Sequence, residues 1–582
     1  MSSRKPSRPN FLIFLADDLG WSDTGCFGGE ISTPNIDELG YHGLRFTDFH
    51  TAALCSPTRA MLLTGTDHHI TGLGQLAEWI IKSPSHLGQP GHEGFLNDRV
   101  VTFPQMLRDG GYWTCMSGKW HLGLEKDQSP WAKGFDKSFA LLPGCASHYG
   151  YEPPLASKEE IPPFFSTSTA CYHREDEHIV RRLPENFYSS DFYADKLIEY
   201  LGDHQREAPD QPFFAYLPFS ATHWPLQAPK ENCEHYLGEY EDGPHALRLK
   251  RIEQQKRLGL IPKDIVPHPI VAPEVPEWES MSADARARSC RTMEVYAGMV
   301  ERMDENVGKV VEYLKSSGQY ENTYIIFMSD NGAEGAAIEA SPTMQGKTLE
   351  HMQKYYDNSL NNIGRATSYC WYGPLWSQAG TAPSRLYKWF STEGGVRVPF
   401  ILSKPGLAHK AGIEEAFCTV MDLAPTILDL AGVKCHDGCY AGRQVAPIRG
   451  KSWKEWLSSP NGLEIHDADY TVGWELMGCG ALRRGVWKID WVPPPKGPGR
   501  WQLYDLSKDR GEMNDLADTY PEKLEELVGL WRKYAKEVGV VGLKNEIEEF
   551  RTMKVEENPD RVTWLQFMEP DGPHHRGTVA EA

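Results

Sequence analysis

Two pairs of oxygen-bearing side chains, Asp17-Asp18 and Asp330-Asn331, each close a short apolar run and lie far apart in the chain. Alone, either pair suits a turn, because Asp and Asn favour strand ends. Together they offer three carboxylates and an amide carbonyl, a donor set for one hard cation such as Ca2+. No thiolate or imidazole is needed, which weighs against zinc. Such an ion would clamp the oxygens of an anionic ester and lower their negative charge. Five cationic or proton-carrying side chains, Arg59, Lys119, His121, His223 and Lys388, complete the set. A cage of Lys, His and Arg answers charge that develops on ester oxygens. Any one of them alone would be a solvated lysine or a core histidine, and His68 and His69 are read as structural on that ground. Lys119 and His121 are expected to share one side of an extended segment, since strand side chains alternate.

The stretch Cys55-Ser56-Pro57-Thr58-Arg59 adds a cysteine before a proline suited to a first helical turn. The helix it opens is predicted to run through Thr64 and to close at Gly65. Residue 55 then stands at a positive helix end, where an anionic group is welcome. By itself this is better read as a half-buried cysteine before an ordinary helix.

Four apolar runs must position these groups. Asn10 to Ala16 leads into Asp17-Asp18, Thr114 to Ser117 into Gly118 to His121, Phe213 to Phe219 into His223, and Tyr324 to Met328 into Asp330-Asn331. Continuous runs of this length read as strands buried on both faces. Between them Met293, Tyr296, Val300, Met303, Val307, Val310 and Leu314 step by three and four, the stripe of a helix that stops at Ser316-Ser317-Gly318. The fold class is therefore α/β with a mainly parallel sheet, and ligands of such sheets gather beyond the carboxyl ends of the strands. A helix is predicted over Asp422 to Ala431. Beyond it the character changes, with strands expected over 470–477, 480–492 and 501–506. An amphipathic helix follows Pro521, carrying Leu524, Leu527, Trp531, Tyr534 and Val538 on one stripe. The expected division is a main domain over 1–440 and a smaller α+β domain over 441–582 that ends in a tail after 545.

A formal charge of −20 argues against nucleic acid as a partner, since phosphate neutralisation needs a basic face. The six-residue run Phe11 to Ala16 meets Asp17-Asp18 and is too short for a secretory signal, and no run approaches the roughly 18 apolar residues of a membrane span. The expected location is cytoplasmic. The 12 cysteines are scattered rather than framework-like. Cys435 and Cys439 flank His436 in a surface loop that holds at most a local disulfide.

With these residues in view, the chain resembles the type I sulfatases of the alkaline phosphatase superfamily, and within them the Pseudomonas arylsulfatase type. Leu-Ala-Asp-Asp-Leu-Gly20, Cys55 to Gly65, Gly-Lys-Trp-His-Leu-Gly123, Phe-Ser-Ala-Thr-His-Trp-Pro225, Met-Ser-Asp-Asn-Gly332 and Arg-Leu-Tyr-Lys388 fall in the family's order. Several specific motifs in order weigh far more than one. The resemblance implies an alkaline-phosphatase-like α/β domain and a smaller domain on a four-stranded antiparallel sheet. It implies that Cys55 is oxidised to Cα-formylglycine by a formylglycine-generating enzyme, and that Asp17, Asp18, Asp330, Asn331 and the modified Cys55 hold one Ca2+. It implies aryl sulfate hydrolysis by a geminal diol. Asp330 takes the attacking proton, His223 with Lys388 serves the leaving oxygen, His121 takes the second proton, and Arg59 and Lys119 hold residue 55 and the sulfate. A cysteine or serine lacks the second oxygen that expels sulfate.

Other answers stay open at this level. Choline or alkyl sulfates are the next substrates, and a phosphate or phosphonate ester hydrolase of the same superfamily is the rival enzyme. An unconverted Cys55 would leave a calcium-dependent sulfate-ester binding protein. The segment from Asn358 to Trp389, rich in Tyr and Trp, lines a leaving-group pocket or packs in a core.

Overall fold

The computed structural model describes residues 8–80, 83–162, 166–338, 346–459 and 464–542. Every residue of the strand Asn10–Ala16 is buried, as a central strand covered by helices on both faces requires. It pairs in parallel with Phe213–Pro218 on one side and Thr323–Ser329 on the other, and Phe213–Pro218 pairs in parallel with Trp113–Lys119. The four runs read from the sequence are thus neighbours in the middle of a ten-stranded sheet. Lys137–Leu141 continues it in parallel, followed by antiparallel His173–Glu175 and His178–Val180. On the other edge lie antiparallel Phe400–Ser403, then Leu44–Phe46 and Gly412–Glu414.

Alternation along Asn10–Ala16 feeds two cores. Leu12 and Phe14 pack with Met293, Val300 and Val307 of the helix Ala283–Ser316, while Phe11, Ile13 and Leu15 pack with Met61 and Leu62 of the helix Cys55–Thr64. The long helix carries the predicted stripe and begins where Ser282 accepts a hydrogen bond from the Ala285 N–H. Leu423–Leu430 occupies the place of the helix predicted at 422–431.

The C-terminal segment forms a four-stranded antiparallel sheet, Thr471–Leu476, Cys479–Arg484, Trp487–Trp491 and Trp501–Asp505. The stretch 480–492, read as one strand, is a hairpin. Gly485 adopts φ 57 there, a left-handed value that suits glycine, and the chain folds back so that Gly480 faces Trp491. Leu527, Trp531, Tyr534 and Val538 of the helix Pro521–Val538 cover one face of this sheet, while Val472, Trp474 and Leu476 join the main core. The tail after 545 lies outside the described residues. Cys435 and Cys439 are free thiols and form no local disulfide. Among the described residues no helix is long and apolar enough to cross a membrane.

Candidate active site

The carboxyl ends of the four central strands face one edge of the sheet, and the polar clusters converge there. Asp17 and Asp18 follow Ala16, Lys119 ends its strand, His223 stands on the loop after Pro218, and Asp330 and Asn331 follow Ser329. Cys55 begins the helix Cys55–Thr64 with Leu54 extended before it; Gly65, at φ 67, closes it by donating its N–H to the Met61 carbonyl. The Cys55 Sγ lies 3.2 Å from His121 Nδ1. Ligand atoms of Asp17, Cys55 and Asp330 lie within 4.8 Å of one another.

Each carboxylate has a cation. Lys119 Nζ donates to Asp17 Oδ2 at 2.6 Å, Lys388 Nζ to Asp18 at 2.9 and 3.0 Å, and Arg59 to Asp330 Oδ2 at 2.7 and 3.0 Å. Arg59 also donates to the Lys119 carbonyl at 2.9 Å, so its fork is spent on the protein and braces two other site residues. Burial and neighbouring carboxylates still push Asp17 well above the carboxylate range and Asp18 to about 7, despite their lysines. Burial would raise Asp330 too, but Arg59, Lys119 and Lys388 hold it below its ordinary value. Burial opposes ionisation of the Cys55 thiol, yet Lys119, His121 and Lys388 bring it down to about 6. Cys55 and Glu78 together overcome burial and raise His121 to about 9. Burial, Lys388 and Lys119 push His223 well below its ordinary value. Neutral His223 donates Nδ1–H to the Trp224 carbonyl at 2.7 Å and leaves Nε2 at 3.6 Å from Asp18 Oδ2.

The oxygens fit a hard cation. Asn331 spends its amide N–H groups on Asp18 Oδ1 and the Gly332 carbonyl, at 2.7 and 2.9 Å. Its own Oδ1, like Asp17 Oδ1, is buried with no hydrogen-bond partner among the described residues. Asp17 Oδ1 has the Arg59 guanidinium at 3.7 Å, beyond hydrogen-bond reach, so a cation meeting these two buried oxygens would offset the cost of leaving them unbonded.

Lys119 and His121 converge by a route the strand pattern did not show. The strand ends at Lys119, and His121 adopts φ 58, so it does not continue an extended segment. The turn sends its ring to Cys55 while Lys119 runs to Asp17. Two carboxylates were not anticipated. Glu78, in the short helix Ala77–Ile80, accepts from His121 Nε2 at 3.2 Å, and Glu334 Oε2 accepts from Lys388 Nζ at 2.9 Å. Glu334 stands just past the Asp330-Asn331-Gly332 motif, which was its available signal; a lone acid such as Glu78 offered none. Of the aromatics in 358–389, Tyr372 and Trp376 are in the main core and Tyr369 packs with Tyr356 and Trp224. Trp389 stands half-buried beside Lys388.

An α/β chain that gathers cations around an oxygen-rich pole at the ends of its parallel strands is suited to an anionic ester. The Sulfatase family model matches residues 9–433, and the chain belongs to that family of sulfate-ester hydrolases. A second model, N-sulphoglucosamine sulphohydrolase, C-terminal, matches residues 385–533. An uncharacterized sulfatase of Schizosaccharomyces pombe is 48% identical over 92% of this chain and 94% of its own. An arylsulfatase of Klebsiella aerogenes is 36% identical over 76% of this chain and 91% of its own. The solved structure of Ps i-CgsB with k-i-k-neocarrahexaose has a TM-score of 0.62 at 22% identity, covering 97% of this chain and 98% of that one. At that identity the match speaks for the fold.

Proposed function

We propose that the chain hydrolyses aryl sulfates through a Cα-formylglycine made from Cys55 by a formylglycine-generating enzyme, assisted by one Ca2+ ion. The observation that carries this reading is the setting of Cys55: first residue of a buried helix, within 4.8 Å of Asp17 and Asp330 and 3.2 Å from His121 Nδ1. The 36% identical arylsulfatase supports the aryl choice. Asp17, Asp18, Asp330, Asn331 and residue 55 would hold the ion, whose charge would offset that of the ester oxygens.

The remaining work falls to the chain's own groups. A hydrated aldehyde at residue 55 has one hydroxyl to attack sulfur and a second whose loss of a proton releases sulfate. His121 Nδ1, at hydrogen-bond distance from the residue 55 side chain, is placed to take that second proton. Lys119, anchored on Asp17, adds positive charge beside residue 55. His223, oriented by its Nδ1–H bond to the Trp224 carbonyl, and the Lys388 ammonium together would support the leaving oxygen.

The test pairs mass with turnover. The peptide containing residue 55 is expected about 18 Da lighter than the thiol form, the loss that accompanies oxidation of cysteine to the aldehyde. Cys55→Ser is expected to abolish turnover with an unchanged Tm. A peptide of thiol mass in fully active enzyme would overturn the reading. A screen over aryl, alkyl, choline and sugar sulfates tests the substrate class.

A further inference from the structure

We propose that Glu334 is a positioning residue that builds the leaving-group side of the site by fixing Lys388 and Trp389 together. The proposal rests on Lys388 serving the leaving oxygen. Glu334 is 4% exposed and uses both oxygens. Oε2 accepts from Lys388 Nζ at 2.9 Å, while Oε1 accepts from Trp389 Nε1 at 3.2 Å and from the Ala336 N–H at 2.8 Å. The residue before it holds the other end of the lysine, since the Lys388 N–H donates to the Ala333 carbonyl at 3.1 Å. The pair Ala333-Glu334 is thus a template that grips Lys388 at both backbone and ammonium.

The backbone it grips is strained. Leu386 and Trp389 adopt φ 57 and 84, left-handed values that L side chains seldom take, and such strain persists where surrounding contacts over-determine it. The Trp389 N–H donates to the Ala53 carbonyl at 2.9 Å, close in sequence to Cys55. One carboxylate receiving both an ammonium and an indole N–H sets those groups side by side. An aryl leaving group with its oxygen at Lys388 therefore meets the Trp389 ring. Trp79 stands edge-on to that ring at 6.2 Å, and its neighbour Glu78 receives His121.

Asp18 also binds Lys388, but it shares its charge with the oxygen-rich pole and accepts from Asn331. Glu334 also stands near that pole, with ligand atoms of Asp18, His223 and Glu334 within 4.8 Å of one another, but its own contacts go to Lys388, Trp389 and Ala336. If it acts only through Lys388, the two residues must show coupled rather than additive effects.

The experiment compares Glu334→Gln, Lys388→Ala and the double variant on phenyl sulfates of graded leaving-group pKa. Gln keeps an oxygen for the Trp389 N–H and removes the charge that orders Lys388. Glu334→Gln is expected to lower kcat about tenfold or more for poor leaving groups, little for good ones, with the double variant no slower than Lys388→Ala. Losses equal across the series in Glu334→Gln, beside a steep dependence in Lys388→Ala, overturn the role of Glu334 and leave that of Lys388 standing. A flat series in both variants sinks the assignment of Lys388 and this proposal with it. Multiplying losses in the double variant also overturn it. Should Glu334→Gln lower Tm sharply, Glu334→Asp, which keeps the charge, is expected to recover the leaving-group dependence of the wild type; failure to do so in a folded variant counts against the proposal.

Discussion

Asn331 shows how much one side chain can say. Its amide hydrogens are spent on Asp18 and Gly332, which leaves its carbonyl oxygen buried and, like Asp17 Oδ1, with no hydrogen-bond partner among the described residues. Two such oxygens near carboxylates raised by burial support the proposed cation. Adding Ca2+ to metal-stripped protein is expected to raise its Tm; at 100 times the Kd, binding linkage gives about 2.7 kcal/mol. Asn331→Leu keeps the approximate volume and removes the oxygen, so its Tm is expected to respond far less. Calcium titrations of Tm in the two proteins make the comparison without reference to turnover. A wild-type Tm blind to calcium would remove the ion from the assignment.

Strand ends deliver these residues, and one glycine decides how closely two of the strands approach. Gly118, just before Lys119, has φ 139, and a Cβ there would stand 1.9 Å from the Pro218 carbonyl oxygen on the neighbouring strand. Backbone against backbone cannot yield as a flexible side chain would. Gly118→Ala is expected to cost about 1–3 kcal/mol or more as an overpacking change and, by displacing Lys119, to lower kcat as well. Gly529, in the helix Pro521–Val538, has nothing within 4 Å of a built Cβ. Gly529→Ala should therefore gain roughly 0.5–1 kcal/mol from helix propensity and leave kcat alone. Thermal melts and kcat of both variants check the pair. The same elements show what the sequence made legible. Four apolar runs ending in polar residues announced the central strands, and Pro57 with Gly65 announced the helix of Cys55, because burial and local backbone preference write themselves into neighbouring residues. The left-handed turn at His121 and the reversal at Gly485 depend on single φ values inside patterns that otherwise read as extended. Glu78 and Glu334 escaped because a lone carboxylate acquires meaning only from the imidazole or ammonium that folding brings to it.

Across the whole molecule, a buried chain of charges ties the C-terminal sheet and helix to the segment that follows the Cys55 helix. Tyr534 donates to Asp67 Oδ2 at 2.8 Å, Asp67 Oδ1 receives His69 Nδ1–H at 2.9 Å, and His69 Nε2–H donates to Glu475 at 3.0 Å. Asp67 also caps the short helix His68–Thr71 through the His69 N–H. The Trp474 indole beside Glu475 donates to the Thr51 carbonyl at 2.8 Å, so the same strand touches the chain on both sides of Cys55. With a carboxylate on each ring nitrogen, His69 is an imidazolium: burial opposes its charge, but Asp67 and Glu475 outweigh it and raise it to about 10. A histidine whose folded value lies above its unfolded one, about 6.5, contributes stability that is complete below the unfolded value and is lost as pH rises through the folded one. The Tm of the wild type is therefore expected to fall between about pH 7 and pH 10. His69→Gln keeps one amide NH2 as donor but brings no charge, and breaking a buried ion pair in this way costs about 3–5 kcal/mol. Its Tm at pH 7 is expected to lie well below that of the wild type, with a shallower decline toward pH 10. Differential scanning calorimetry of the two proteins at both pH values measures the terms together, and parallel declines would show that the alkaline loss arises elsewhere than at this clasp.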